Sequence, residues 1–393
     1  MKTPALRRIQ LENFKAVQNS KSIRLTPLTV FIGNNGSGKS SLIEGLLTYQ
    51  MIIQQGLDFA MNYWRDFDYI RNRAVSHEIL SKNDPKLIES NPIKLKLSYK
   101  SYSLSIALTK SANQLIISEE CIEFGKTAKI LRSADGLVSD PIHKKSIGKS
   151  PETEVIFKMS RVQEYLRELN QNGIDEQILN WQFLNLNPAI MGNPIPMRLS
   201  TNQVKLNPDA SNLGHYLLDL YKLDIDAFNG LVETLQYVLP YAKDLQIQET
   251  SPLELEQRVY LQMTESDFKI PGWLISTGTL RVVALLALLR HPSPPPLIVI
   301  EELENGLDPR TINLLIEEIR SAIDSGKTQI IITTHSPYLL DQLHLSQIII
   351  VERNDQGEPI FSRPSDRETL ENWSKEFTPG QLYTMGQLNT LQN

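Results

Sequence analysis

The chain has 393 residues, room for two or three domains at about 150 residues each. Its 41% hydrophobic and 22% charged residues exclude a largely disordered chain, and its net charge of −5 excludes a polycation, so any nucleic-acid binding must come from local patches. A single cysteine, Cys121, excludes an internal disulfide framework and a thiolate-rich zinc site, which suits a reducing cytosol.

The longest clean apolar run, residues 282–289, is far short of the roughly 20 residues of a membrane span. Residues 1–11 carry Arg7 and Arg8 but no apolar core of a signal peptide. The expectation is a cytoplasmic protein without membrane contact.

In chain order, residues 6–11 and 22–25 read as short strands. Residues 28–32 (Leu-Thr-Val-Phe-Ile) are β-branched and aromatic, and predict a buried strand that stops at Gly33. Leu42, Leu46, Leu47, Met51 and Ile52 predict a helix from Lys39 to about Gln55. A polar and aromatic stretch follows from about residue 56. Residues 93–108 and 114–130 alternate like strands of an antiparallel sheet. Residues 154–169 read as a helix, and residues 185–208, rich in Pro and Asn, as a linker. There are no sustained heptads and no internal repeat.

Beyond the linker, residues 212–223 and 225–239 predict two amphipathic helices, and residues 245–248 and 256–263 two strands. Residues 276–290 form a strongly apolar helix, broken by His-Pro-Ser-Pro-Pro-Pro at 291–296. Residues 297–300, 329–333 and 347–351 are short buried strands, with a helix over 310–323 and a polar helix over 367–376. Strands alternating with helices in this third imply a mainly parallel sheet with covered faces.

Four motifs carry chemistry. Gly33, Asn34, Asn35, Gly36, Ser37, Gly38, Lys39 and Ser40 fit G-x-x-x-x-G-K-[ST] between a predicted strand and helix. Glycines let the backbone N–H groups converge on phosphate oxygens at the positive end of a helix. Lys39 would neutralise the β- and γ-phosphates and the Ser40 hydroxyl would ligate Mg²⁺. Residues 297–302 are an apolar strand ending in Glu301 and Glu302: the first could hold Mg²⁺, the second could orient and polarise the attacking water. His335 follows the strand at 329–333 and could reach a γ-phosphate, while Ser336 before Pro337 is also a helix start. Ser276, Thr277 and Gly278 stand at a helix N-terminus, which could form a second anion-binding end, although an ordinary cap is the commoner arrangement for such residues alone.

Their order resembles the ATP-binding-cassette ATPases, in the soluble RecF/SMC-like branch, and within it the RecF-like "AAA family" ATPases related to the ATPase half of OLD-family proteins. Residues 9–15, ending in Asn13-Phe14-Lys15, resemble that branch's opening strand, and residues 304–308 its D-loop. The resemblance covers roughly residues 1–55 and 205–355. It implies an α/β fold, a P-loop NTPase of ABC-ATPase type with a mixed sheet, an antiparallel β-subdomain and an inserted lobe. Residues 1–55 and 205–393 would make the ATPase head, and residues 56–204 the lobe.

By the same resemblance the cofactors are ATP and Mg²⁺. Asn34, Asn35, Gly36, Ser37, Gly38, Lys39, Ser40 and Ser41 would bind nucleotide. Ser40 and Glu301 would hold the metal. Glu302 would be the catalytic base, His335 the switch histidine, and Lys39 the catalytic lysine. Ser276, Thr277 and Gly278 would be the signature that covers a partner subunit's ATP, so that two ATPs lie in a head-to-tail homodimer. Glu301 replaces the Asp of transporters and SMC proteins, the signature reads Ser-Thr-Gly-Thr, and no glutamine is identified as the Mg²⁺ sensor, with Gln54, Gln55 and Gln114 as candidates. Residues 354–393 are too short for a TOPRIM nuclease domain.

The readings that follow are an ATP-dependent switch beside a DNA- or nuclease-associated effector, in anti-phage defence or DNA repair; a nucleotide-gated binding module with little turnover; and a transporter ATPase subunit. Glu301 and Glu302 together favour turnover, and the Asn-Phe-Lys opening disfavours the transporter. Tyr63, Trp64, Phe67, Tyr69, Arg71 and Arg73 could form a basic aromatic surface, although core aromatics on an amphipathic segment are the commoner arrangement. Lys144, Lys145 and Lys149 read as a solvated loop. His77, His143, His215, His291 and His344 lack metal-ligand spacing, and Cys121 reads as core.

Overall fold

The computed structural model describes residues 5–75, 91–111, 114–125, 127–132, 138–140, 145–147, 160, 174–197, 204–250 and 257–388. The chain divides into two compact units. One comprises Met1–Trp181, Leu345–Phe377 and Leu382–Asn393; the other comprises Gln182–His344 and Thr378–Gln381.

The first unit holds a nine-stranded antiparallel sheet. Its spatial order is Lys145–Ile147, Val138–Asp140, Thr127–Arg132, Gln114–Phe124, Tyr102–Ser111, Ile93–Ser98, Arg8–Phe14 and Val17–Asn19, and Ile23–Arg24 also pairs with Arg8–Phe14. Alternation explains the buried face: Ile93, Leu95 and Leu97 are buried while Lys94 is exposed. Leu11 lies opposite Leu95 and Ile9 opposite Leu97, so both chains turn their apolar residues to the same side.

The two alternating runs at 93–108 and 114–130 are thus four strands. Tight turns divide them, one closed by Tyr99 N–H donating to the Tyr102 carbonyl at 2.8 Å, the other at Gly125 with φ +58°. These strands continue the sheet that begins with Arg8–Phe14, through the pairing Arg8↔Ser98 to Glu12↔Lys94. The helix expected over 154–169 lies outside the described residues apart from Ser160, as do His77, His143, Lys144 and Lys149; of Lys145 only the strand is described.

A parallel pair stands beside this sheet in the same unit. Leu28–Ile32, buried at every position, pairs with Ile348–Arg353 in the register Val30↔Ile348 to Ile32↔Ile350, and Pro359–Ser362 pairs antiparallel to the latter. Lys39–Gln55 is helical as expected. Its Gly45 lets Leu11 approach, since an added Cβ would stand 3.0 Å from the Leu11 Cδ2. Gln50 donates to the carbonyls of Ile178 and Trp181, both at 2.9 Å, docking the short helix Ile174–Leu179. The aromatic segment after Gly56 contains a helix that its mixed composition hides, Leu57–Tyr63.

In the second unit, Gln182–Leu184, Leu297–Ile300 and Gln329–Thr334 form parallel pairs in that order, and the last two strands are buried throughout. Residues 182–184 fall just before the expected linker and were not expected as a strand. A four-stranded antiparallel sheet combines Ile195–Pro196, Arg258–Glu265, Ala242–Glu249 and Phe268–Pro271. The helix Thr277–Leu289 is apolar on nearly every side because nearly every side is buried. Arg290 at its end forks onto Glu318 at 3.0 and 2.7 Å and donates to Thr234 Oγ1 at 2.6 Å, tying helices Pro309–Asp324 and Ile225–Val238 to it. No helix among the described residues is long and apolar enough to cross a membrane.

Candidate functional site

The glycine-rich loop at residues 33–40 lies in the first unit. The buried strand Leu28–Ile32 delivers the chain to Gly33, and Lys39–Gln55 begins six residues later. Gly36 has φ +72° and Gly38, the residue capping that helix, φ +115°. These are left-handed conformations that glycine adopts without a Cβ penalty. Lys39 is 7% exposed, and its ammonium donates to the carbonyls of Gly33 at 2.7 Å and Asn34 at 3.1 Å, so the loop curls around the charge. Asn34, Asn35 and Ser40 are exposed; Ser37 and Ser41 are buried. The Ser37 hydroxyl is buried without a hydrogen-bond partner.

Gly33 is required for a different reason. A Cβ there would stand 2.1 Å from the Val351 carbonyl oxygen, which is backbone and cannot rotate away. We expect Gly33→Ala to destabilise the protein by about 3 kcal/mol, the upper range of overpacking, measured as a lowered urea midpoint. An unchanged midpoint would show that the two strands can separate at no cost.

The strand that ends in two acids lies in the second unit. Leu297–Ile300 ends at half-buried Glu301, followed by exposed Glu302. Glu302 has φ +49°, a left-handed backbone that costs a non-glycine residue about 1–3 kcal/mol and needs surrounding structure to hold it. That structure is present. Glu302 N–H donates to Thr333 Oγ1 at 3.0 Å, and Asn305 Nδ2 donates to the Glu302 carboxylate at 2.5 Å. His335 begins the turn after Gln329–Thr334, and its N–H donates to Glu304 Oε1. Ser336 caps the short helix Pro337–Leu340, so the helix-start reading of Ser336 and Pro337 holds. Glu301, Glu302 and His335 therefore gather at the carboxyl ends of two adjacent parallel strands, where ligands of α/β sheets collect.

Ser276 caps Thr277–Leu289: its hydroxyl accepts from Thr279 N–H at 3.1 Å. Ser276 and Thr277 are exposed at that helix end, next to Trp273 at 48% and Leu274 at 68% exposure. Gly278 is demanded within the chain, because a Cβ there would meet the Gly306 carbonyl at 2.6 Å. Asp308 caps Pro309–Asp324, and hydrogen bonds from the Thr311 hydroxyl and the Thr311 and Arg310 backbone hold its carboxyl below the usual range.

Several residues near these motifs carried no sequence signal. Arg281, one turn into the apolar helix, is pushed down by burial while the Glu302 carboxylate opposes that shift. Arg353 Nε donates to the Gly36 carbonyl at 2.8 Å. A cavity of about 660 Å³ adjoins the loop, lined by Gly33, Asn34, Ser37, Glu352, Arg353 and Tyr383, among others.

The remaining expectations divide. Cys121 is buried in Gln114–Phe124, and burial raises its thiol. Arg71 pairs with Asp68 at 3.0 Å, and Trp64 donates to Thr48 Oγ1 and underlies the Lys15 ammonium 3.6 Å from its ring; Phe67 is buried, while Tyr63 and Tyr69 are exposed, so the aromatics of this segment are only partly core. Gln54 donates to the Leu179 carbonyl at 2.8 Å. His291 is 3% exposed, and burial lowers its imidazole. Among the described residues no group of three or more His, Cys, Asp and Glu is placed to hold a metal ion.

Comparison with known proteins adds family and fold. Residues 5–209 match the sequence model of a family described as "AAA ATPase domain". Residues 202–341 match a second, whose description begins "AAA domain" and ends "Type IV TA system". A Helicobacter pylori protein named "ATP/GTP phosphatase" is 20% identical over 372 residues, covering 88% of this chain and 92% of that protein. The crystal structure of an SmcHead bound to the C-winged helix domain of ScpA superposes with a TM-score of 0.54 at 13% identity, covering 91% of this chain and 98% of that one. An Smc head domain with an extended coiled coil from Pyrococcus furiosus, bound to the C-terminal domain of ScpA, gives 0.47 at 14% identity, covering 95% and 100%.

Proposed function

The chain belongs to the AAA ATPase domain family, and from that premise we propose an ATP-dependent switch in which nucleotide binding pairs two copies and hydrolysis releases them. The observation that carries this reading is the loop at residues 33–40, where two left-handed glycines curl the backbone around Lys39 at the head of a helix.

Lys39 would neutralise the β- and γ-phosphates, and the loop N–H groups would cradle them. The exposed Ser40 hydroxyl and the Glu301 carboxylate are hard oxygen donors that suit Mg²⁺, which takes one or two protein oxygens and completes its shell with phosphate and water. Bound there, the ion would draw charge from the phosphate oxygens. Glu302 would accept the proton of the attacking water, its carboxylate aimed by Asn305. His335 would donate to the γ-phosphate.

Supporting a second copy as partner, Ser276 and Thr277 lie exposed at a helix N-terminus with exposed Trp273 and Leu274 beside them. That end would meet the other copy's γ-phosphate, so the pair would hold only while the γ-phosphate is present. The second family's description, naming a toxin–antitoxin system, favours an effector-linked role over transport, as does the SMC-head fold. We place the switch beside a DNA- or nuclease-associated complex.

Steady-state phosphate release tests the core of this reading. Turnover is expected with ATP and Mg²⁺ and is expected to fall to background on chelation, returning when Mg²⁺ is restored. Turnover unchanged by chelation would remove Ser40 and Glu301 from their roles.

A further inference from the structure

The triphosphate reading employs Lys39, Ser40 and the acids but leaves the 660 Å³ cavity without a task. That volume falls in the range of small-molecule sites, about 300–1,000 Å³. Its floor is the carboxyl end of Ile348–Arg353, which runs parallel to Leu28–Ile32, and ligands of parallel sheets gather at such ends. Its wall is Gly33, Asn34 and Asn35, the first half of the phosphate loop. A molecule gripped by that loop would extend into it.

The walls are built. The Arg353 guanidinium donates through Nε to the Gly36 carbonyl at 2.8 Å and through Nη1 to the Gly357 carbonyl at 2.5 Å, pinning the loop to the strand end. Ser37 also lines the cavity, with its hydroxyl turned inward and buried. Glu352 and Tyr383 both line the cavity. Burial and then the Glu352 carboxylate raise the Tyr383 phenol, so the ring stays neutral and lies close to that acid.

We propose that this cavity is the nucleoside pocket: a purine base packs on the Tyr383 ring and donates from its amino edge to the Glu352 carboxylate. The inference rests on the triphosphate reading and deepens it. Adenine offers an amino group to a carboxylate, and guanine offers two adjacent donors, so both purines are accepted. Uracil presents a carbonyl at the corresponding edge and is repelled.

Calorimetric binding to the full chain tests this, with ATP, GTP, UTP and inorganic tripolyphosphate as probes. Tyr383→Ala is expected to weaken ATP and GTP about tenfold, the loss of one base–aromatic stack, and to leave tripolyphosphate unchanged. Tyr383→Phe keeps the ring and should restore both nucleotides. Glu352→Gln, nearly isosteric, should weaken GTP more than ATP. Equal loss of tripolyphosphate, or nucleotide binding untouched by Tyr383→Ala and Glu352→Gln alike, overturns the pocket. Lys39→Ala run alongside separates the two ideas. If it loses tripolyphosphate, the triphosphate reading stands whatever Tyr383 does; if it keeps tripolyphosphate, that reading falls and takes the pocket with it.

Discussion

Lys39→Ala is expected to lower ATP turnover about 10²–10³-fold, the scale at which one preorganised transition-state donor acts in a site shielded from water. Lys39 is 7% exposed, and its ammonium is held by two loop carbonyls. It is therefore already desolvated, and its charge acts on a phosphate more strongly than it would in water. Removing it also leaves the Gly33 and Asn34 carbonyls turned inward without that donor. Those two dipoles would then repel the anion they help to enclose. Lys39→Arg is a useful companion, because the charge persists but the planar fork cannot occupy the same curl. Phosphate release at saturating ATP measures both, and unaltered turnover in Lys39→Ala would refute the cradle.

Glu302→Gln is expected to cut turnover by about 10²–10⁴-fold, the contribution of a positioned general base, while ATP still binds. The amide keeps an oxygen for Asn305 Nδ2, and the backbone N–H to Thr333 is untouched, so the left-handed turn persists. With cleavage stopped, the ATP-bound pair should accumulate, and light scattering should report twice the monomer mass when ATP is present. A mass that stays monomeric counts against pairing. Glu302→Gly separates chemistry from strain: it should be as inactive, yet more stable by about 1 kcal/mol, because glycine accepts φ +49° without cost.

What could be read from the chain alone depended on how local the cause was. The loop at 33–40, the strand before it and the helix after it are set by neighbouring residues, so Leu28–Ile32 and Lys39–Gln55 were legible to the residue. The same holds for Leu297–Ile300, where four apolar residues meet two acids. Pairing across distance was not legible. Nothing near Ile93 announces that Leu95 will lie opposite Leu11, and the alternating strands looked like a separate lobe for that reason. Arg353 reaches Gly36 across more than 300 residues of sequence, and Tyr383 joins the same cavity from the C-terminal segment. Such constellations have no spacing to recognise. The left-handed turn at Glu302 was also hidden, because a glutamate there is a backbone exception that only the surrounding bonds to Thr333 and Asn305 sustain.

The most direct test is a crystal structure with Mg²⁺ and a non-hydrolysable ATP analogue. It should show the γ-phosphate within hydrogen-bond reach of Lys39 Nζ and His335, the metal on Ser40 and Glu301, and Glu302 facing the phosphorus on the side of attack. A triphosphate bound away from Lys39, or acids that remain remote from it, would contradict the assignment of all five residues.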